Sequence, residues 1–304
     1  MLASGARCLV ANRRGGRSWS ASSEGGEIHW RRATGRKPAH RSTVTLDAFF
    51  HRDGGRFVPT ELTRGPWSAD AQHGGPPAAL LGTALEATER RDDSMIVRVT
   101  FEMLKPVPLA PLTVATRVLN AGRSVQVLGG TISAGSEEIL RGEALRIRTT
   151  DLSFPEPPLL PAVPGPDQGK PARFFPTGYE VGYHTGMANS FVRGGFLEQG
   201  PAIAWLRMRH PLVADEPVTP LARVLIAADS GNGVSSALDY RRFIFINPDL
   251  TVYLHRYPEG EWVCLEAATT ASNRGLGLAH SVLHDMRGPI GHGLQGLLIG
   301  ERKR

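Results

Sequence analysis

The sequence is poor in the residues that build disulfide frameworks and metal centres. It has two cysteines, Cys8 and Cys264, among 304 residues, which excludes a disulfide framework and suits a reducing, cytoplasmic compartment. Its histidines follow no ligand spacing, so we expect no metal. It has no run of eighteen apolar residues, so no membrane span is predicted. It also lacks the G-x-S-x-G motif of serine hydrolases.

The excess of positive charge is confined to the beginning of the chain. Residues 1–42 hold nine basic and two acidic residues, whereas positions 43–304 hold 26 basic and 27 acidic ones. The folded part is therefore not expected to bind nucleic acid. The segment 1–42 is rich in Arg, Ser and Gly, which predicts a disordered basic tail, a targeting leader or a mis-assigned start.

A proline-rich segment divides the rest of the chain. Seven prolines lie in residues 151–172, and proline resists both helices and central strands. We interpret this segment as a linker or surface crossing. It separates a predicted N-terminal domain, residues 43–150, from a predicted C-terminal domain, residues 173–300.

The two halves follow the same plan of one helix and then several strands. The first helix follows Pro76 and Pro77, and the second begins at Thr219 and Pro220, a cap followed by proline at the first helical position. Turn residues separate the later segments. The predicted strands are 95–104, 112–120, 124–134 and 138–148 in the first half, and 242–246, 251–257, 261–272, 277–284 and 293–299 in the second.

A constant spacing indicates an internal repeat. The separation in the chain between Arg123 and Arg274 equals the separation between Gly142 and Gly293. One helix followed by an antiparallel sheet that wraps around it is the hotdog arrangement. The pattern therefore predicts an α+β fold of two tandem hotdog domains that form a pseudo-dimer. Sheets joined edge to edge would also cover edge strands.

Several motifs resemble known proteins. G-P-W at 65–67 with Q-H-G-G-P-P-A-A-L-L at 72–81 resembles the opening of acyl-CoA thioesterase-like proteins with two fused hotdog domains. A-A-D-S-G-N-G at 227–233 and F-I-N-P-D-L-T-V-Y-L-H-R at 245–256 are similar to the second hotdog of the bacterial acyl-CoA thioesterase II family. The resemblance spans residues 44–299.

The resemblance implies a site as well as an activity. That family hydrolyses acyl-CoA with an Asp, a Thr or Ser, and a Gln around one water. These roles fall on Asp229, Asn247 and Gln295, and Asn247 departs from the family pattern because Thr is usual there. An asparagine amide can still hydrogen-bond a water or a carbonyl.

The stretch His73-Gly74-Gly75 is a candidate substrate or oxyanion site. Backbone N–H groups at a helix start are unpaired and lie at the positive end of the helix dipole, and glycine permits close approach. The resemblance to single-domain hotdog thioesterases implies an acid nine positions after the histidine. Gly82 occupies that position, so we expect His73-Gly74-Gly75 of the first half to share one composite site with Asp229 of the second.

Three functions remain open from the sequence. The first is hydrolysis of acyl-CoA or related thioesters to acid and thiol by water, within lipid metabolism and without a cofactor. The second is hydration or dehydration of an acyl thioester, which usually needs an Asp–His pair, available here from His73 and Asp229. The third is non-catalytic binding of an acyl thioester. A homo-oligomer is compatible with each of them, by analogy with the fold.

Overall fold

A computed structural model describes residues 46–153 and 161–302, together with the backbone of three strands between residues 7 and 33. The helices are α1 (Gly75–Ala87), α2 (Tyr183–Gly186), α3 (Pro220–Ala228) and α4 (Gly231–Val234). The strands are β1 (Arg7–Asn12), β2 (Arg17–Glu24), β3 (Glu27–Ala33), β4 (Phe50–Asp53), β5 (Arg56–Pro59), β6 (Ser94–Met103), β7 (Leu112–Ala121), β8 (Val125–Ala134), β9 (Glu137–Arg148), β10 (Met187–Arg193), β11 (Ala202–Met208), β12 (Phe243–Ile246), β13 (Asp249–Leu254), β14 (Val263–Ala271), β15 (Leu276–Asp285) and β16 (Gly288–Glu301). In the described part of the chain, no helix is long and apolar enough to cross a membrane.

One antiparallel sheet runs through both halves. Its order is β10-β11-β14-β15-β16-β13-β6-β9-β8-β7-β5-β4, and β12 pairs with β16. Strand β13 lies between β16 of its own half and β6 of the first half. The two halves therefore share backbone hydrogen bonds, and neither β6 nor β13 is an exposed edge.

The pairing register of the sheet follows the spacing of the sequence repeat. Phe101 pairs with Gly142, and Val252 pairs with Gly293, so both members of the pair are displaced by one full repeat. At the seam between the halves, Thr100 pairs with Thr251, its own equivalent in the second half, and their hydroxyl oxygens are 3.2 Å apart. Because a residue pairs here with its own equivalent, the midpoint of the seam lies at this pair.

Helices α1 and α3 pack against each other and contribute buried side chains to one large apolar core. The helices approach closely at position 82, where a Cβ on Gly82 would lie 2.1 Å from Leu225 Cδ1 and the Leu225 side chain would have to shift. Helix α3 starts at Pro220, as predicted, and the Thr219 hydroxyl accepts a hydrogen bond from Ala222 N.

A buried arginine caps the C-terminal end of α1. Arg146 of β9 is 3% exposed and donates hydrogen bonds to the carbonyls of Leu85 and Glu86 and to those of Thr88 and Glu89. Carbonyls at the end of a helix have no partner inside it, and a cation is favourable at this end of the helix dipole. Burial lowers the pKa of Arg146 from its ordinary value.

The nine predicted strands are present as β6–β9 and β12–β16, with ends shifted by a few residues. The structure adds β4, β5, β10 and β11, which lie in short segments without clear alternation. Cys264 is fully buried and free, as expected for a small apolar side chain. The side chain of Cys8 lies outside the described residues.

The beginning of the chain and the linker were predicted to be without regular structure. The structure instead gives β1, β2 and β3 as a separate antiparallel sheet, and the sequence signal for it is the two Gly-Gly pairs at 15–16 and 25–26, a composition typical of hairpin connections. The other residues of 1–42, and 154–160 of the linker, lie outside the described residues. The end of the linker runs over the sheet, where the Trp205 indole donates to the carbonyl of Pro164 at 2.8 Å.

Candidate active site

The N-terminal end of α1 and the C-terminal end of α3 meet in the interior. His73 and Gly74 immediately precede α1, and Asp229 immediately follows α3. A Cβ on Gly74 would lie 2.8 Å from Asp229 Oδ2, and a Cβ on Gly75 would lie 2.5 Å from the carbonyl oxygen of Ile226. The two glycines are therefore required for the approach of the two helix ends.

Asp229 and His73 are in direct contact across the two halves. His73 Nδ1 lies 2.9 Å from Asp229 Oδ2, and the two side chains are 13% and 4% exposed. Gly75 N lies 3.1 Å from the same His73 nitrogen and also donates to the Asp229 carboxylate. When Nδ1 carries a proton it donates to Asp229, and when it does not it accepts from Gly75.

The two predicted amide residues also reach Asp229. Asn247, which follows β12, donates from Nδ2 to Asp229 Oδ1 at 2.8 Å. Gln295 of β16 is buried and donates from Nε2 to the backbone oxygen of Asp229 at 3.1 Å and to Oδ1 at 3.4 Å. The six residues predicted from the sequence, His73, Gly74, Gly75, Asp229, Asn247 and Gln295, therefore form one cluster.

The surroundings of Asp229 keep its carboxylate charged. Burial raises the pKa of Asp229, while His73, Asn247 and the Gly75 N–H lower it by a larger amount, so its pKa lies below the ordinary value of 3.8. A carboxylate at the C-terminal end of α3 is unfavourable with the dipole of that helix, but it also faces the N-terminal end of α1, where a negative charge is favourable. Asp229 is therefore ionised at neutral pH.

The backbone donors at the start of α1 differ from those expected. The N–H of Gly75 is already used by His73 and Asp229, and the N–H of Ala78 donates to the carbonyl of Gly74 at 3.0 Å. Within the described part of the chain, the N–H of Gly74 has no acceptor. The predicted pair of glycine donors is thus reduced to Gly74, because the Asp229 carboxylate occupies the other N–H.

The sequence did not indicate two further residues of the cluster. The ring of Tyr183 stacks on the imidazole of His73, with ring centres 3.8 Å apart, and no periodic pattern marks this residue. The backbone N–H of Asn232 donates to Gln295 Oε1 at 3.0 Å, which orients the other end of that amide towards Asp229. Asn232 belongs to the quoted A-A-D-S-G-N-G motif, so the motif could have identified it.

Two family models match this chain. The model of the acyl-CoA thioesterase N-terminal domain matches residues 63–147, and the model of the acyl-CoA thioesterase C-terminal domain matches residues 156–299. Together they span more than half of the chain. No curated protein matches the sequence.

The fold is similar to several solved structures. A conserved protein with a hotdog fold from Alicyclobacillus acidocaldarius has a TM-score of 0.63 and 16% identity over 85% of this chain and 97% of that chain. The TesB protein of Mycobacterium avium subspecies paratuberculosis has a TM-score of 0.59 and 16% identity over 83% of this chain and 96% of that chain. The acyl-CoA thioesterase II TesB2 of Mycobacterium marinum has a TM-score of 0.57 and 14% identity over 77% of this chain and 91% of that chain. At these identities the likeness is one of fold.

The antiparallel sheet with its few helices and these neighbours make the chain a hotdog-fold protein. The two domain models define it further, and the chain belongs to the acyl-CoA thioesterase family. It is therefore a thioester hydrolase, which converts an acyl-CoA thioester and water to an acid and a thiol.

Proposed function

We propose that the cluster where α1 meets α3 is the active site of this thioesterase. The single observation that carries the proposal is the contact of 2.9 Å between His73 Nδ1 and Asp229 Oδ2. It joins a carboxylate from one half to a helix start from the other, in surroundings almost closed to solvent. Electrostatic effects on a reacting group are larger in such surroundings than in water.

Asp229 is the group that accepts a proton from the attacking water. Its Oδ1 already accepts from Asn247 and Gln295, and Oδ2 faces His73, but an ionised carboxylate has about four acceptor sites. The water oxygen attacks the thioester carbon, its proton passes to Asp229, and the C–S bond breaks with the electron pair on sulfur. The proton then returns to the thiolate, whose conjugate thiol has a pKa of about 8.5.

The N–H of Gly74 is the donor that we assign to the oxyanion of the tetrahedral intermediate. It lies at the positive end of the α1 dipole and beside the Asp229 carboxylate, the group to which we assign the attacking water. Asn247 then takes the place of the usual threonine. Because its amide nitrogen holds Asp229 at 2.8 Å, the substitution keeps a hydrogen-bond donor where the family pattern has a hydroxyl.

We also propose that the fold is a pseudo-dimer of two hotdog domains with one working site. The repeat spacing relates Gln295 to Ala144 and Asn247 to Ile96, and both counterparts are buried apolar residues. The first half also lacks the acid that a second site would need, because Gly82 stands at the position where the resemblance implies it. These differences support the loss of the second site after duplication.

The decisive experiment is a panel of acyl-CoAs of different chain length with a thiol reagent. Release of thiol that is lost in Asp229→Ala supports hydrolysis at this site, and full activity of that variant refutes it. The contact of His73 with Asp229 also fits a hydratase, the second candidate. Loss of enoyl absorbance without thiol release would establish hydration, and binding without either would establish a non-catalytic acyl-thioester protein.

The location and assembly of the protein remain proposals too. We propose a cytoplasmic enzyme of lipid metabolism, supported by the small number of cysteines. A homo-oligomer is supported only by analogy with the fold. Size-exclusion chromatography with light scattering would measure the assembly directly.

A further inference from the structure

Tyr183 is a buried neighbour of the proposed site. It is the first residue of α2, and it is 2% exposed. Its ring lies parallel to the imidazole of His73, with 3.8 Å between the ring centres and 8° between the planes. The contact is therefore a face-to-face stack on the same imidazole that contacts Asp229.

The Tyr183 hydroxyl anchors this ring to the end of α3. It donates a hydrogen bond of 2.9 Å to the carbonyl of Ile226 and lies 2.9 Å from the hydroxyl oxygen of Ser230. Ile226 is also the residue whose carbonyl a Cβ on Gly75 would touch. Tyr183 thus contacts His73 before α1, and Ile226 and Ser230 at the end of α3 close to Asp229.

We propose that Tyr183 is a positioning residue that holds the His73 imidazole in the plane where Nδ1 faces Asp229, and this proposal rests on the proposed function. The terminal torsion of a histidine is broad, so the ring needs neighbours to fix its plane. A parallel ring at 3.8 Å leaves the imidazole no room to tilt without separating the two faces.

The stack also suits the charge of the pair. The face of an aromatic ring is its negative part, and a cation placed over it is stabilised. Asp229 and Tyr183 are the titratable groups in contact with His73. Tyr183 itself stays neutral, because burial raises the pKa of its phenol. The Tyr183 ring therefore presents an uncharged aromatic face to His73.

Two substitutions separate the ring from the hydroxyl. Tyr183→Phe keeps the stack and loses the hydrogen bonds, whereas Tyr183→Met fills a similar volume with a flexible apolar chain and loses the flat face. We expect Tyr183→Phe to keep kcat within about threefold, and Tyr183→Met to lower kcat by about 10²-fold, the scale of a misplaced catalytic group. KM for acyl-CoA should change by less than about threefold, because Tyr183 is proposed to act through His73.

A double-mutant cycle with His73→Ala tests the dependence on histidine. Tyr183→Met should lower kcat in the wild-type background and add nothing in the His73→Ala background, since the two residues act as one unit. Tyr257 supplies the matched control, because it is a partly buried tyrosine of the second half whose hydroxyl accepts a hydrogen bond of 3.2 Å from Ile96 N. Tyr257→Met should leave kcat unchanged.

The outcomes distinguish this inference from the proposed function. If Tyr183→Met lowers kcat by the same factor with and without His73, or if Tyr183→Phe is as slow as Tyr183→Met, the positioning role of the ring is refuted. A wild type that releases no thiol refutes the proposed function instead. In that case the same double-mutant cycle, measured on Tm, tests the contact between Tyr183 and His73. A loss of Tm in Tyr183→Met that disappears in the His73→Ala background supports the contact, and a loss of Tm that is equal in both backgrounds refutes it.

Discussion

Replacement of Asp229 by asparagine removes the charge of the site and keeps the shape of the side chain. The asparagine oxygen can still accept from Asn247, and its amide nitrogen can donate to His73 Nδ1, which is 2.9 Å from the present Oδ2. The variant is therefore expected to fold. We expect its free energy of unfolding to fall by about 1–3 kcal/mol, the range for one altered buried hydrogen-bond partner.

The effect on catalysis should be much larger than the effect on stability. An amide cannot accept the proton of the attacking water, and a positioned general base contributes about 10²–10⁴-fold to a rate. We expect Asp229→Asn to lower kcat by this factor, with a smaller change in KM. The assay follows thiol release from the acyl-CoA that the wild type hydrolyses fastest, with circular dichroism as the test of folding.

Asp249→Asn is the matched control for this prediction. Asp249 lies in β13, and its Oδ1 accepts a hydrogen bond of 2.7 Å from Gly296 N, outside the His73 contact. The control should keep kcat within about threefold and should lose about 1–3 kcal/mol of stability. If Asp229→Asn keeps more than a tenth of the wild-type kcat, Asp229 is not the base and the reasoning is refuted.

The remaining predictions concern substitutions of single residues and the pH dependence that follows from Asp229. Because the pKa of Asp229 lies below 3.8, the fall of kcat on the acid side of the pH profile should occur below that pH. In His73→Ala the effect of burial on the pKa of Asp229 is no longer offset by the histidine, so this fall of kcat should move to higher pH. A fall of kcat at an unchanged pH would contradict this. The same lowered pKa of Asp229 stabilises the folded state at pH values above the pKa of this carboxyl in the unfolded chain. This contribution to the free energy of unfolding should be lost as the pH falls through the pKa of Asp229 in the folded protein. Arg146→Met removes the hydrogen bonds that the guanidinium donates to four carbonyls at the end of α1, so urea unfolding should show a loss of about 3 kcal/mol. Gly82→Ala should lower Tm through the collision with Leu225, whereas the matched Gly135→Ala places its methyl group in open space and should cost only the strain of its positive φ.

One variant that the sequence recommends is a poor test in the folded protein. On the sequence alone, Gly75→Pro removes an oxyanion donor at a helix position that tolerates proline. In the structure a Cβ at this position would lie 2.5 Å from the carbonyl oxygen of Ile226. The substitution would therefore disturb the packing of α1 on α3 as well as the site, and loss of activity would have two causes.

Much of the fold could be predicted because it depends on local patterns. Alternation of apolar and polar residues between turns identified nine strands, and a capping threonine before proline identified the start of α3. The repeat spacing also came from the sequence. In the structure, the equivalent glycines of the two halves occupy equivalent positions in the strand pairing. The order of motifs in the chain indicated the family and the residues of the site.

The weight of the individual site residues required the tertiary structure. The sequence pointed to the backbone N–H groups of this glycine stretch as the oxyanion donors, yet the His73 side chain contacts Asp229 and the N–H of Gly75 is already used. Local pattern cannot predict this, because the distance between two residues from different halves of the chain depends on how α1 and α3 cross.

The sequence by itself determined nine of the strands, the start of α3, the repeat and the types of side chain available for catalysis, since each depends on neighbours along the chain. The tertiary structure decided that β13 pairs with β6 and that Arg146 caps α1. It also decided that Tyr183 lies beneath His73. These contacts join distant segments, so they depend on apolar surfaces and hydrogen-bonding groups that meet only after the chain has folded.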